Sequence, residues 1–356
     1  MRTVAEQVPP AGPAVRHSRR TPVSQTSSLT DEVGSTAVDR TGEQAIAGAP
    51  QPSTDLSDAA AQRRVAAAQA PLRLMAVHAH PDDESSKGAA TLAKYADDGV
   101  GVVVVSCTGG ERGDILNPRF DQAGIDIPAL RLTEMAAAAE ILGVAHEWLG
   151  FEDSGYHEGD PATWDLPAGC FGALDPAVET EALVRLVRHY RPQVMTTYDE
   201  NGGYPHPDHI RCHVVSMAAF EAAGDPSAFP DAGEPWQPSK LYYNVGFSKK
   251  RMLAINEAVK EATGEGPFDE WLERFAKNDR PDPSARMTTQ VPVADFFAAR
   301  DAALRAHATQ IDPDSHWFAV PREVEARVWG TDDYELARAL VEAPLPETDL
   351  FAGIRP

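Results

Sequence analysis

Apolar residues follow no period over residues 1–70, where Ala, Pro, Ser, Thr, Gln and Gly dominate and no aromatic residue occurs. Such a segment buries too little surface to offset chain entropy. It therefore predicts a disordered extension, with an Ala-rich stretch at 57–69 able to form a frayed helix. The pattern changes at Leu72. A largely apolar run over 72–77 reads as a buried strand, 85–98 as a helix capped by Ser85 or Ser86, and 102–107 as a second strand. That second strand is rich in valine, as in a parallel sheet covered on both faces. Strand, helix and strand at this spacing predict a right-handed βαβ unit.

The alternation continues with a helix over 128–142, which has Pro128 at its start and Gly143 past its end. A strand at 148–151, a helix at 175–190, a strand at 194–198 and a helix from about 207 to 223 follow. The later chain is less regular: strands at 241–247 and 289–293, helices at 249–262, 269–276 and 295–308. No repeat or linker interrupts residues 71–356, so the expectation is a single α/β domain with a mostly parallel sheet flanked by helices.

Composition narrows the function. The formal net charge is −22, and residues 1–70 hold seven basic and seven acidic residues, so the acidic surplus falls on the ordered part. Phosphate binding needs basic patches, so neither nucleic acid nor an anionic membrane is expected as a partner. No stretch has the roughly 18–20 apolar residues of a membrane span, and the early arginines are followed by no apolar signal core. Cys107, Cys170 and Cys212 are too few and too scattered for a disulfide framework. Sparse cysteines fit a reducing cytoplasm.

The chemistry sits where strands end. Directly after the first strand comes His78-Ala79-His80-Pro81-Asp82-Asp83-Glu84, and after the fourth comes Tyr204-Pro205-His206-Pro207-Asp208-His209. Both loops lie at strand carboxyl ends, where open α/β sheets gather ligands. Imidazole and carboxylate are the usual ligands of a divalent metal, and a catalytic zinc site uses three of them. His80, Asp83 and His209 are assigned as ligands. Asp82, His206 and Asp208 are left for proton chemistry and tuning of the site. His213, four residues after His209, is a weaker candidate, and Thr108–Asp114 lacks the ending of a phosphate-binding loop.

The two clusters together resemble the signatures of the zinc-dependent deacetylases of the PIG-L/LmbE type. Within that family the similarity is strongest to the branch that cleaves mycothiol S-conjugates. It is carried by AHPDDESSKGAA from Ala79, CTGGERGDILNP from Cys107, YDENGGYPHPDH from Tyr198 and LRAHATQIDPD from Leu304, and it spans about 72–342. The resemblance implies a Rossmann-like sheet and one Zn2+ per chain, with Fe2+ as the alternative ion. It implies His80, Asp83 and His209 as ligands, Asp82 as general base and His206 as the acid that also steadies the oxyanion. Asp208 would raise the pKa of His206, and Tyr204 would swing toward the oxyanion. It further implies contacts from Asp114, Arg131 and Asp153 to the glucosaminyl-inositol part of a thiol-sugar conjugate, and from Lys87 to its cysteinyl part. The implied protein is a cytoplasmic monomer or small homo-oligomer. The sister reaction, deacetylation of N-acetylglucosaminyl-inositol, shares the same machinery, and a natural-product tailoring amidase is a third variant.

Overall fold

Apolar runs without polar alternation require a sheet covered on both faces. The computed structural model, which describes residues 54–120, 124, 126–277 and 282–355, contains one. Strands β1 (Arg73–His78), β2 (Gly101–Thr108), β3 (Ala145–Phe151), β4 (Val194–Thr197) and β5 (Lys240–Val245) are parallel, in the order β3-β2-β1-β4-β5. Two later strands, β6 (Thr289–Pro292) and β7 (Thr331–Ala339), complete it. β7 pairs antiparallel with β5, and β6 antiparallel with β7.

Ten α-helices are present among the described residues: α1 (Thr54–Gln69), α2 (Asp83–Ser86), α3 (Ala89–Asp97), α4 (Ile127–Leu142), α5 (Pro176–Tyr190), α6 (Pro207–Ala222), α7 (Lys249–Thr263), α8 (Asp269–Lys277), α9 (Phe297–Ala306) and α10 (Arg322–Val328). Successive strand side chains point to opposite faces, and the two cores divide accordingly. Leu74, Ala76, Val102 and Val104 pack with α3, α4 and α9. Met75, Val77, Val103 and Val105 pack with α5 and α6. A third, smaller core of Met252, Ile255, Val259 and Phe268 ties α7 to α8 and α10. None of the helices is long and apolar enough to cross a membrane.

Order starts earlier than the expected boundary at residue 70. Ala67 of α1 is buried in the second core. Arg64 donates from Nε to the His146 carbonyl at 3.0 Å and pairs with Glu147 at 3.1 Å. These tertiary contacts hold a helix whose own pattern is hardly amphipathic. Residues 1–53 of the expected extension lie outside the described residues.

The helix expected over 85–98 is broken in two. Gly88 has φ 89°, and a Cβ there would lie 2.8 Å from the Tyr334 hydroxyl and 3.2 Å from Asn244 Oδ1. Glycine both permits the left-handed turn and lets β5 and β7 approach the loop. The sequence pattern predicts no strand at β7, whose start, Thr331-Asp332-Asp333, is acidic. The acids are satisfied locally: Asp332 accepts from Thr91 N and Oγ1 at 3.0 and 2.8 Å, and Asp333 from Trp329 Nε1 at 2.7 Å.

The path of the chain positions the site. From β1 it moves to β2 and β3 on one side, then returns across to β4 on the other. The carboxyl ends of β1 and β4 therefore flank the switch-point crevice in which open α/β sheets bind ligands.

Candidate active site

His80 to Asp83 follow β1 without a linker, since α2 starts at Asp83. Asp82 stands before that helix with φ 113°, a conformation costly for a residue with a Cβ. Two contacts hold it there. Its N–H donates to Glu84 Oε2 at 2.9 Å, and its Oδ2 accepts from Arg131 Nη2 at 3.2 Å. Glu84 is itself anchored by a wholly buried pair, Oε1 to His307 Nε2 at 2.7 Å. Arg131 is anchored by donating to the Pro81 carbonyl at 2.7 Å and the Gly110 carbonyl at 3.1 Å.

The second cluster comes from the exit loop of β4 and the first turn of α6. Pro207 takes the first helical position, where its missing N–H costs nothing. His206 is the cap, its Nδ1 accepting from Asp208 N–H at 3.1 Å. His209 points back from the helix and stacks on Tyr198 with ring centroids 4.4 Å apart. Tyr204 approaches its other side, also at 4.4 Å.

His80, Asp83 and His209 form a buried group able to hold a metal ion, one ligand atom from each lying within 4.8 Å of the others. The donor chemistry fits. His209 Nδ1 faces the Gly202 carbonyl at 2.9 Å and so carries the proton. That leaves the lone pair on Nε2, which is buried, without a hydrogen-bond partner and 3.3 Å from Asp83 Oδ2. His80 is arranged likewise. Its Nε2 lies 3.1 Å from Asp208 Oδ2, while Nδ1 lies 3.5 Å from Asp83 Oδ2. A histidine ligand tied through its outer nitrogen to a carbonyl or carboxylate is the usual support of a metal site. A second group, His80, Asp153 and His206, also meets the distance test. It would need the His80 nitrogen already committed to Asp208.

Electrostatics point the same way. Burial opposes a charged His80, yet Asp153, Asp208 and Asp83 outweigh it and raise its pKa well above the ordinary value. Carboxylates so placed favour any cation seated among them. Burial lowers the pKa of His209, so it is a neutral donor. Burial also lifts the Asp82 carboxyl above its usual range, against the pull of Arg131.

His206 departs from expectation. Burial, then the charge of His80, press its pKa down to about 3. The Asp208 carboxylate does not reach it. That carboxylate is engaged by His80 Nε2 and by both the amide and the hydroxyl of Ser154. Asp208 therefore steadies His80 rather than raising the pKa of His206. Its backbone N–H, donating to Nδ1, leaves His206 neutral with its proton on Nε2.

A cavity of about 1170 Å³, open solvent included, begins at Asp82 and Asp83 and is lined further by Lys87, Tyr204, Phe247 and Trp317. Of the expected substrate contacts, Lys87 lines it, with Nζ 2.6 Å from Asp83 Oδ1. Arg131 is 3 % exposed, its guanidinium spent on the Asp82 loop, so it is a positioning residue rather than a sugar contact. Asp153 is also buried, accepting from the amides of Arg112 at 3.1 Å and Gly155 at 2.8 Å and facing His80. Asp114 is exposed, and its backbone carbonyl accepts from Gln310 Nε2 at 3.1 Å. His213 turns away, with Nδ1 3.1 Å from the Tyr198 carbonyl.

The model of the GlcNAc-PI de-N-acetylase (PIG-L) family matches residues 75–220. A mycothiol S-conjugate amidase of Streptomyces coelicolor is 56% identical over 289 residues, covering 80% of this chain and 98% of that protein. The chain belongs to the PIG-L family. A second PIG-L relative, a 1D-myo-inositol 2-acetamido-2-deoxy-alpha-D-glucopyranoside deacetylase of Streptomyces avermitilis, is 40% identical over 304 residues, with 80% and 98% of the two chains covered. The solved N,N'-diacetylchitobiose deacetylase of Pyrococcus horikoshii shares the fold, with a TM-score of 0.50 at 18% identity over 86% of this chain and 97% of that one.

The PIG-L match thus runs from β1 through most of α6 and contains every candidate ligand. Several supporting residues escaped the sequence reading. Ser154, and Glu111, whose Oε2 accepts from the Asp153 N–H at 3.0 Å, are single polar residues in loops, with no spacing to mark them. His307 lies inside the LRAHATQIDPD stretch that carried part of the resemblance, but nothing in the pattern pairs it with Glu84.

Proposed function

We propose that this protein hydrolyses the amide of mycothiol S-conjugates in the cytoplasm, releasing an N-acetylcysteine S-conjugate and glucosaminyl-inositol. The observation that carries this is the 56% identity to the S. coelicolor amidase across nearly its whole length, against 40% to the deacetylase relative. Zinc is the ion proposed at His80, Asp83 and His209, where it would polarise the carbonyl and acidify a water.

The chain's own residues do the rest. Asp82, held by Arg131 and Glu84, accepts the proton of the attacking water. Burial suits it to the task by weakening its acidity. His206 donates its Nε2 proton as a hydrogen bond to the developing oxyanion, as a neutral imidazole can. Tyr204 supplies a second donor on the same side. One well-aimed donor of this kind is worth roughly 3–4 kcal/mol. As the carbon–nitrogen bond breaks, Asp82 returns its proton to the leaving amine. Asp114, exposed beside Gln310, is the residue left free to meet a sugar hydroxyl.

The test is a side-by-side assay of zinc-loaded protein on the bimane S-conjugate of mycothiol and on N-acetylglucosaminyl-inositol. The conjugate is expected to be cleaved much faster. Faster release of acetate from the second substrate would transfer the protein to the deacetylase reaction.

A further inference from the structure

A second cavity lies against the first. It encloses about 840 Å³, open solvent included, between the β5 and β7 ends of the sheet and the helical lobe of α7 and α10. The two share lining residues that include Lys87, Asn244, Phe247 and Trp317, so the space beside Asp83 and the space beyond Lys87 are neighbours. Much of the lining of the second cavity is apolar: Phe247, Met252, Ile255, Phe268, Trp317 and Val320.

Charged residues line it as well, but they are already paired. Arg300 and Arg251 both bind Glu325, at 2.8 and 3.0 Å, and Asp332 and Asp333 are hydrogen-bonded as described above. A charged ligand would have to displace those partners, whereas an apolar group can pack on the apolar part of the lining and leave them in place. The mechanism uses none of these residues.

We infer that this cavity receives the S-substituent of the conjugate and selects bulky apolar ones, an inference that rests on the amidase function proposed above. With the scissile carbonyl at the candidate ligands, the cysteinyl sulfur is three bonds from the reacting carbon. The substituent beyond it leaves the first cavity over Lys87 and enters the second. Cationic Lys87, with Nζ 5.7 Å from the Tyr198 ring and 5.8 Å from the Tyr204 ring, forms the sill between the two. This makes the helical lobe the part of the molecule that reads the xenobiotic half of the substrate.

The experiment uses the full zinc-loaded chain with two conjugates, S-bimane and S-methyl mycothiol. Val320→Phe narrows the cavity at a half-buried position. It should raise KM for the bimane conjugate about tenfold with kcat little changed. Both constants for the S-methyl conjugate should move less than about twofold. Met252→Ala removes wall instead of adding it and should weaken the bimane conjugate about threefold, again sparing S-methyl. Equal effects on both conjugates, or none on bimane, in whichever variant retains a cooperative melt, would overturn the assignment while leaving the amidase function standing. If wild-type protein cleaves neither conjugate yet deacetylates N-acetylglucosaminyl-inositol, the amidase function itself falls, and this assignment with it.

Discussion

Residues 75–220 and residues 240–334 both wall the space above Asp82, yet they meet it with opposite chemistry. The first region contributes ionisable groups crowded at two strand ends: His80, Asp82 and Asp83 after β1, His206, Asp208 and His209 after β4. The second contributes mostly apolar side chains from scattered loops and helices, among them Phe247, Met252, Ile255, Trp317 and Val320. The family match covers the first region and stops before the second begins. The candidate ligands are thus concentrated where two strand ends bring ionisable groups together, while the proposed S-substituent cavity is lined by segments that come later in the chain.

Variants can test how cleanly the two regions divide. The largest effect belongs to the first. Asp82→Ala should cost about 10²–10⁴-fold in kcat while bound metal, measured by elemental analysis, is unchanged. His209→Ala should lose the metal as well. Normal turnover in the first, or full metal content in the second, would dissolve the distinction between base and ligand. Next comes His307→Ala, a second-region change that reaches into the first. Leaving buried Glu84 unpaired should destabilise by about 3–5 kcal/mol in chemical denaturation. A stable variant would mean Glu84 is not held as a charge.

A smaller effect is expected from Trp317→Ala, which should raise KM for the bimane conjugate about tenfold and leave kcat nearly untouched. A fall in kcat instead would place catalytic work in the second region. The smallest effect is a pH dependence in the first region that has nothing to do with chemistry. Glu179 of α5 is buried, neither oxygen has a hydrogen-bond partner among the described residues, and burial pushes its pKa up to about 8 despite Arg211 3.3 Å away. The folded protein keeps that proton after the unfolded chain has lost it. Stability therefore falls as pH rises from the ordinary carboxylate range toward about 8. Glu179→Gln should melt a few degrees above wild type in alkaline buffer and show little difference in acid. An equal gain at both would trace it to packing.

The same contrast governs what could be read from the chain. β1, β2 and β4 were visible as apolar or β-branched runs, and the ligand candidates were visible because two His/Asp clusters follow such runs. β7 was not, since Asp332 and Asp333 read as solvent-facing until Thr91, Gln290 and Trp329 are brought to them from elsewhere. Arg131 and Asp153 were found, but as sugar contacts. Whether a buried polar side chain faces a ligand or braces a loop depends on partners distant in sequence. The difference at His206 has the same origin. The family resemblance implies a carboxylate contact from Asp208, and the geometry of a helix cap supplies a backbone N–H in its place.

The Glu84–His307 pair bears on how the molecule could be taken apart. All candidate ligands lie within residues 75–220, which invites the thought of a portable catalytic module, to be trimmed to a minimal fragment or grafted onto a new recognition domain. Such a fragment would lack α9 and His307, leaving the buried Glu84 carboxylate without its ion-pair partner beside the strained Asp82 backbone. It would carry every candidate ligand and the proposed base, yet lose the residue that anchors one of the two groups aiming that base. In this architecture new specificity has to be reached by reshaping the later segments in place, since they cannot be exchanged wholesale.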